Sequence, residues 1–287
     1  MTEDEQIKQY IDACDHMMKF FKKLLQRDKV SGLAPQNSAL AELTDLRMLA
    51  KSNEWGCAYS AGEDEEKRAY EFLGSVTSKL SGAHVLDFGS CDLATARIVA
   101  DKMKAKTVVS FDVNLCRGGA PKERLITNTD NLNIVTQMSP YDVILVNDVL
   151  DHMEKPVNWL KILGRMLNKQ SGRMFVRCHP YTSRNGAHAG EQLNRAYLHL
   201  VFTEEELATF GISCRHTQKI LDAQKSYAAY FEDAGLKVVS EKIVRCDPDM
   251  RILSDKRVSD RIRKNIGVED GLLELLEIDY IDYQLSL

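Results

Sequence analysis

An apolar run that ends on an acid, a glycine and a helix start is the part of this chain best suited to chemistry: His84-Val85-Leu86-Asp87-Phe88-Gly89-Ser90-Cys91-Asp92-Leu93. A strand that turns sharply at Gly89 and feeds a helix aims free backbone N–H groups, and the positive end of a helix dipole, at one small patch. Such patches seat cofactors in doubly wound α/β proteins. A second acid, Asp112, closes the next apolar run, and Asn147 with Asp148 closes a longer one. The polar segment from His179 to His188 follows a fifth apolar run and holds Tyr181, Arg184 and Asn185 between its two histidines. Ligands of open sheets bind at such loops, so Tyr181, Arg184 and His188 are expected to touch a substrate, with a plain exposed loop as the alternative. No metal is expected, because His179 and His188 lack a ligand spacing and Cys214 with His216 is only a pair. Cys91 is read as a small residue in a glycine's place rather than a reactive thiol.

The elements that must position these groups come in two blocks. Residues 1–80 hold no strand signal. Ile7, Tyr10, Ile11, Cys14, Met17, Met18, Phe21, Leu24 and Leu25 recur at helical spacing over residues 5–28. Ser38 is expected to cap a shorter helix carrying Leu40, Leu43, Leu46 and Leu49, and a third helix is expected from about Glu63 to Leu80. This block reads as a helical cap or lid, with Trp55 and Tyr59 in the loop between. From residue 81 to 287 the rhythm is strand, helix, strand. Strands are expected at Val85–Phe88, Thr107–Asp112, Arg124–Thr127, Tyr141–Asp148, Gly172–Cys178 and Leu236–Val244. Ile281, Tyr283, Leu285 and Leu287 alternate as a last strand, expected at the sheet edge. Thr203 with Glu206 reads as a capping box, and Gly235 as a helix stop. The fold expected is α/β: a Rossmann-like doubly wound, mostly parallel seven-stranded sheet with an antiparallel C-terminal strand, plus the N-terminal helical cap.

Bulk composition narrows the partners. A formal charge of −4 gives no global attraction to nucleic acid or anionic membrane. Two local runs, Lys19 to Lys29 and the helix with Arg257, Arg261, Arg263 and Lys264, are the places where a basic groove could form. Seven cysteines with no C-x-x-C pair suit a reducing compartment. No apolar run reaches membrane-spanning length and the first residues are acidic, so a cytoplasmic protein without a membrane partner is expected. The amphipathic N-terminal helix is available as a homo-oligomer or assembly contact.

Four features in order make residues 84 to 287 resemble the class I S-adenosylmethionine-dependent methyltransferases. They are Val85-Leu86-Asp87-Phe88-Gly89, Phe111-Asp112-Val113, the run Tyr141 to His152, and Phe202-Thr203-Glu204-Glu205-Glu206-Leu207 before Ala234-Gly235-Leu236-Lys237-Val238-Val239. The resemblance implies S-adenosylmethionine as cofactor and methyl transfer to an N or O nucleophile of an unidentified substrate: small molecule, protein or nucleic acid. It implies that Asp87, Gly89 and Ser90 form the turn at the cofactor and that Asp112 accepts the ribose hydroxyls. Val113 would pack on adenine, Asp130 would meet its exocyclic amine, and Asn147 with Asp148 would border the methionine tail. His179 and Asp148 are the residues expected to act as base. His152 is a further candidate base, though the resemblance implies a scaffold role for it. The family's turn is Gly-x-Gly-x-Gly, whereas here Cys91 and Leu93 stand at its second and third glycines, and Leu93 is in a position to crowd the pocket. A methyltransferase-like module without catalysis is therefore the alternative, and a nicotinamide or nucleotide-sugar enzyme is disfavoured by the glycine-poor turn.

Overall fold

The computed structural model describes residues 34–52, 55, 57, 65–114, 125–184, 186, 193–209, 211–213 and 222–287. The helix expected over residues 5–28, and Tyr59, Asn185, His188, Cys214 and His216, lie outside them. The chain divides into two compact units, one up to Trp55 and one from Gly56. In the first, helix α1 spans Ala34–Lys51. It starts before Ser38, with Pro35 in the first turn, where a missing N–H costs no hydrogen bond.

The second unit opens with α2 (Glu65–Leu73). This helix stops short of the expected Leu80 because Gly74 follows and Ser75 closes the end, its Oγ donating to the Phe72 carbonyl at 2.7 Å. Strand, helix and strand then alternate through β1 (His84–Phe88), α3 (Ala94–Asp101), β2 (Thr107–Phe111), β3 (Ile126–Thr129), α4 (Leu132–Gln137), β4 (Val143–Asn147), a 3-10 turn (Leu150–His152), α5 (Pro156–Met166) and β5 (Arg173–Cys178). Short helices α6 (Leu198–Val201) and α7 (Glu204–Ala208) lead to α8 (Ala223–Asp233) and β6 (Lys237–Arg245). Helices α9 (Met250–Leu253), α10 (Lys256–Ile266) and α11 (Leu272–Leu276) precede β7 (Ile278–Ser286). The capping box at Thr203 and Glu206 is formed in both directions. Gly235 ends α8 with φ +76°, a left-handed stop that favours glycine. Among the described residues no helix is long and apolar enough to cross a membrane.

The strands form one seven-stranded sheet in the order β3-β2-β1-β4-β5-β7-β6. β7 alone runs antiparallel to its neighbours, β5 and β6. The expected parallel sheet with an antiparallel C-terminal strand is thus present, with one correction: β7 is interior and β6 takes the edge. Burial explains the exchange. Ile281, Tyr283 and Leu285 are fully buried, whereas most of β6 is exposed, including Val238 and Val239. An edge strand carrying Lys237, Glu241, Lys242 and Arg245 is also poorly suited to pairing with another chain.

Helices cover both faces, which is why β1 and β4 read as nearly unbroken apolar runs. Leu86, Phe88, Ile144 and Val146 pack with α5 and α8 on one face. Val85, Val143, Leu145 and Phe175 pack with Phe72 of α2 and with Ala96 and Val99 of α3 on the other. Side chains alternate along a strand, so Asp87, Asn147 and Arg177 continue the second face at the carboxyl ends of β1, β4 and β5. That period of two brings three polar residues, distant in sequence, to one edge.

Candidate active site

A cavity of about 700 Å³ opens at this edge. Its floor is the turn after β1. Gly89 has φ +82°, and a Cβ there would stand 2.3 Å from Val149 Cγ2, so both conformation and space call for glycine. Cys91 and Leu93 are also left-handed, at φ 47° and 70°. Both positions thus take a conformation that favours glycine, at roughly 1–2 kcal/mol of strain each. The expected crowding by Leu93 does not occur. Its left-handed backbone sends the side chain into the core with Phe72, Leu80 and Val85, where it is buried.

Asp112, just past β2, clamps the turn. One carboxylate oxygen accepts the Cys91 N–H at 2.9 Å and the other the Asn114 N–H at 2.8 Å. The Gly89 and Ser90 N–H groups both donate to the Phe111 carbonyl, and Ser110 Oγ donates to Ser90 Oγ at 2.6 Å. The turn is thus fixed from β2 through main chain and side chain. Val113, beside Asp112, is 72% exposed on the cavity wall, an apolar surface without cover.

Two buried acceptors face the same cavity. Asp87 Oδ2 and Asn147 Oδ1 have no hydrogen-bond partner among the described residues. Buried polar atoms are nearly always satisfied, so a pair of orphans on one wall marks a place for a donor. Burial pushes the Asp87 carboxyl up to about 7, a hydrogen bond from the Ala96 N–H opposing this and Asp92 and Asp112 adding to it. A cationic donor would reverse that shift.

Asp148 follows Asn147 with φ 55°. Its Oδ2 accepts from Arg68 Nη2 at 3.0 Å, and its Oδ1 lies 3.3 Å from His179 Nε2. Burial alone would raise this carboxyl, but His179, Arg68 and Arg177 outweigh it and hold the group well below the usual carboxylate range. Burial would lower His179, yet Asp148 and the charge of Asp279 push it up to about 9. Its other nitrogen, Nδ1, is 3.0 Å from the Asp279 carbonyl. Both ring nitrogens of His179 thus face oxygen atoms, an arrangement that favours its protonated form. Behind it, Arg177 makes a buried two-point ion pair with Asp282, at 2.7 and 2.9 Å, and stacks on Tyr280.

Of the residues singled out in the sequence, Asp87, Gly89, Ser90, Asp112, Val113, Asn147 and Asp148 line this one cavity. His179, Asp130, Tyr181 and Arg184 do not. Asp130 is exposed beyond β3. Tyr181 is buried, its OH donating to the His199 carbonyl at 3.2 Å. Arg184 donates to the Asp247 carbonyl at 2.8 Å. The loop after β5 is in this way tied to the C-terminal helical segment, and His188 is not described.

Other residues also line the cavity, among them Arg68, which sequence reasoning did not single out, and His152, which it did. Arg68 lies in α2, read as part of a cap, one residue before the core position Ala69 and one turn before Phe72. That helical spacing was the sign that this face meets the sheet. His152, 38% exposed in its side chain, lines the mouth with Met153, Glu154, Lys155 and Trp159. Its Nε2 is 3.6 Å from the carboxylate of Asp151, which is 1% exposed.

The family profile described as "Methyltransferase domain" matches residues 64–241, more than half of the chain. A search of curated proteins gave no significant match. Among solved structures, the chain is similar to an S-adenosylmethionine-dependent methyltransferase from Mesorhizobium loti, with 13% identity, TM-score 0.48 and coverage of 77% of this chain and 98% of that one. It is similar to one from Archaeoglobus fulgidus at 12% identity and TM-score 0.48, covering 77% and 92%. The plantazolicin methyltransferase BamL, solved with a triazolic desmethylPZN analog and SAH, matches at 12% identity and TM-score 0.47, covering 88% and 91%. On the profile match and the sheet described above, the chain belongs to the class I S-adenosylmethionine-dependent methyltransferase family.

Proposed function

We propose that this protein transfers a methyl group from S-adenosylmethionine to a nucleophilic N or O atom. The observation that carries the proposal is the pair of orphaned buried acceptors, Asp87 Oδ2 and Asn147 Oδ1, on the same cavity as Asp112 and the exposed Val113. The set fits the cofactor part by part. The two orphans suit an ammonium group. Asp112, already oriented by two backbone N–H groups, suits a ribose diol. Val113 suits an adenine face. Gly89 and Ser90 form the floor against which the chain between them would lie.

When bound, the cofactor supplies a methyl carbon activated by its sulfonium, so that the remaining work is positioning. The turn clamped by Asp112 fixes one wall, and the residues from Asp148 to Trp159 fix the other. An acceptor that must lose a proton needs a base with a lone pair on the cavity wall. His152 has the place for it, with the buried Asp151 carboxylate 3.6 Å from its Nε2 to orient the ring. Asp148 and His179 instead hold charge and shape. Asp130, Tyr181, Arg184 and His188 have no part in this proposal.

The alternative, a methyltransferase-like module without catalysis, draws on the missing glycines and on the amphipathic pattern of the N-terminal residues. The left-handed backbone at Cys91 and Leu93 weighs against the first of these, because the turn takes a glycine-like conformation without the glycines. A cytoplasmic setting and assembly through the N-terminal residues stand as parts of the same proposal, motivated by cysteine usage and the amphipathic pattern of residues 5–28. Titration calorimetry with S-adenosylhomocysteine tests the cofactor reading. The wild-type chain binds it; Asp112→Ala loses at least tenfold in affinity, and Asp112→Asn, which keeps one acceptor oxygen, loses less. Undiminished affinity in Asp112→Ala would overturn the assignment.

A further inference from the structure

We infer that His179, the residue after β5, is a positioning residue: it ties Asp148, and with it the cavity wall from Val149 to His152, to the first residues of β7. The part this tie plays in function rests on the cofactor reading above. The wall begins on a left-handed residue, Asp148 having φ 55°, a conformation that costs an L-residue energy. That turn brings Val149 against Gly89, where a Cβ on the glycine would stand 2.3 Å from Val149 Cγ2, and it opens the 3-10 turn that carries His152. A single 3-10 turn holds itself poorly, because its hydrogen bonds are few and of poor geometry. Here they run from the His152 N–H to the Val149 carbonyl at 3.1 Å and from the Met153 N–H to the Leu150 carbonyl at 3.2 Å. The shape of the wall therefore depends on how Asp148 is held.

Asp148 is held by main chain and side chain. Its N–H donates to the Arg177 carbonyl of β5 at 3.2 Å, Arg68 of α2 donates to one carboxylate oxygen at 3.0 Å, and His179 Nε2 stands 3.3 Å from the other. His179 carries the hold further. Its Nδ1 is 3.0 Å from the Asp279 carbonyl, its ring meets Tyr280 edge-on at 5.9 Å, and its own carbonyl accepts from the Tyr227 OH of α8 at 3.2 Å. One residue thus joins the turn after β4 to β7 and to α8. The far end is anchored in turn: Arg177 grips Asp282 across β5 and β7, and Thr182 Oγ1 donates to the Leu275 carbonyl, just before β7, at 3.2 Å. The charges around the ring suit this task. Burial, with Arg68 adding to it, would lower His179, yet Asp148 and Asp279 push it up to about 9. A protonated imidazole donates at both ends of a rigid ring, whereas lysine offers one nitrogen on a flexible stem. The residue type follows from having two oxygens, on different elements, to bridge.

The test needs no turnover and uses the full chain at pH 7. Amide hydrogen exchange without ligand reads the wall itself. In His179→Leu the amides of His152 and Met153 are expected to exchange about 10- to 100-fold faster, the range of a lost charge-assisted contact, while those of Gly89 and Ser90, held from β2, change by less than about threefold. His179→Gln, whose amide keeps a donor for Asp148, falls between, and carries the comparison should His179→Leu not fold. A residue that merely stabilised the domain would speed both turns together. Calorimetric titration with S-adenosylhomocysteine reads the link to function: affinity falls in the same order, and His179→Leu costs far less in an Asp148→Asn background than alone, because its effect passes through Asp148. Equal acceleration at both turns, undiminished affinity in His179→Leu, or additive losses in the double variant overturns the inference and leaves the cofactor reading intact. Failure of wild type to bind S-adenosylhomocysteine overturns the cofactor reading, and the exchange pattern then decides the tie by itself.

Discussion

Replacing Asp87 by asparagine should make the empty protein more stable and the site less able to hold its ligand. The carboxyl is 2% exposed, and burial moves it from its ordinary 3.8 up to about 7. Because the folded value lies above the unfolded one, its favourable contribution is complete below pH 3.8 and is lost as pH rises through 7. At about 1.4 kcal/mol per pH decade, keeping this group ionised above pH 7 costs the fold about 4 kcal/mol. Asparagine keeps an oxygen for the Ala96 N–H and has no charge to bury. Urea denaturation of both proteins between pH 4 and pH 8 should therefore give curves that lie within about 1 kcal/mol at the acidic end and separate to about 4 kcal/mol at the alkaline end, the variant being the more stable. Ligand binding should move the other way. An ammonium beside Asp87 requires the ionised form, so wild-type affinity for S-adenosylhomocysteine should fall about tenfold per pH unit below 7. In the variant, an amide N–H facing the ammonium should weaken binding by roughly 10- to 100-fold with no such slope. A stability difference that stays flat across this pH range would refute the buried-charge argument.

Further substitutions probe other links. Cys91→Gly relieves a left-handed residue on an open surface and should change stability by no more than about 1 kcal/mol, in the stabilising direction, in thermal melts. Leu93→Gly restores another glycine of the family pattern yet removes a buried side chain, and should destabilise by about 2–4 kcal/mol by the same measurement. Gly89→Ala meets Val149 at 2.3 Å as well as a left-handed backbone, and Val149→Ala should recover only the steric part of the loss. Arg177→Met leaves Asp282 buried without its partner and should cost about 3–5 kcal/mol, with the double variant Arg177→Met, Asp282→Leu costing less, as read from denaturation midpoints.

What the sequence disclosed follows from what is local. Strands β1 and β4 are unbroken apolar runs because both their faces are covered, and Asp87, Gly89, Asp112 and Asn147 could be found as the residues that end such runs. The capping box at Thr203 is likewise a four-residue signal. What stayed hidden depends on distant partners. The seat of β7 between β5 and β6 is a choice of neighbours, and alternation in Ile281, Tyr283 and Leu285 reads the same at an edge. The surroundings of His179 are set by Asp148 and Asp279, far along the chain, and these oxygens favour its protonated form, which no local pattern at a sheet edge discloses. The direction of Leu93 depends on a positive φ, which no spacing rule for leucine anticipates.

The turn from Gly89 to Leu93 has a bearing on how quickly the site can change shape. A turn of three glycines has many conformations open to it, and closing it on a ligand gives up that freedom. Side chains at Cys91 and Leu93 narrow the choice beforehand, a gain of about 0.4–1 kcal/mol per position that offsets part of the left-handed strain. With Asp112 gripping it from β2 and Leu93 anchored in the core, this wall is stiff before any ligand arrives. Entry and exit then fall to the opposite wall, where Met153, Glu154 and Lys155 form an exposed or half-buried rim between the 3-10 turn and α5. Ligand exchange in this protein should be sensitive to substitutions on that rim and indifferent to the turn that gives the site its shape.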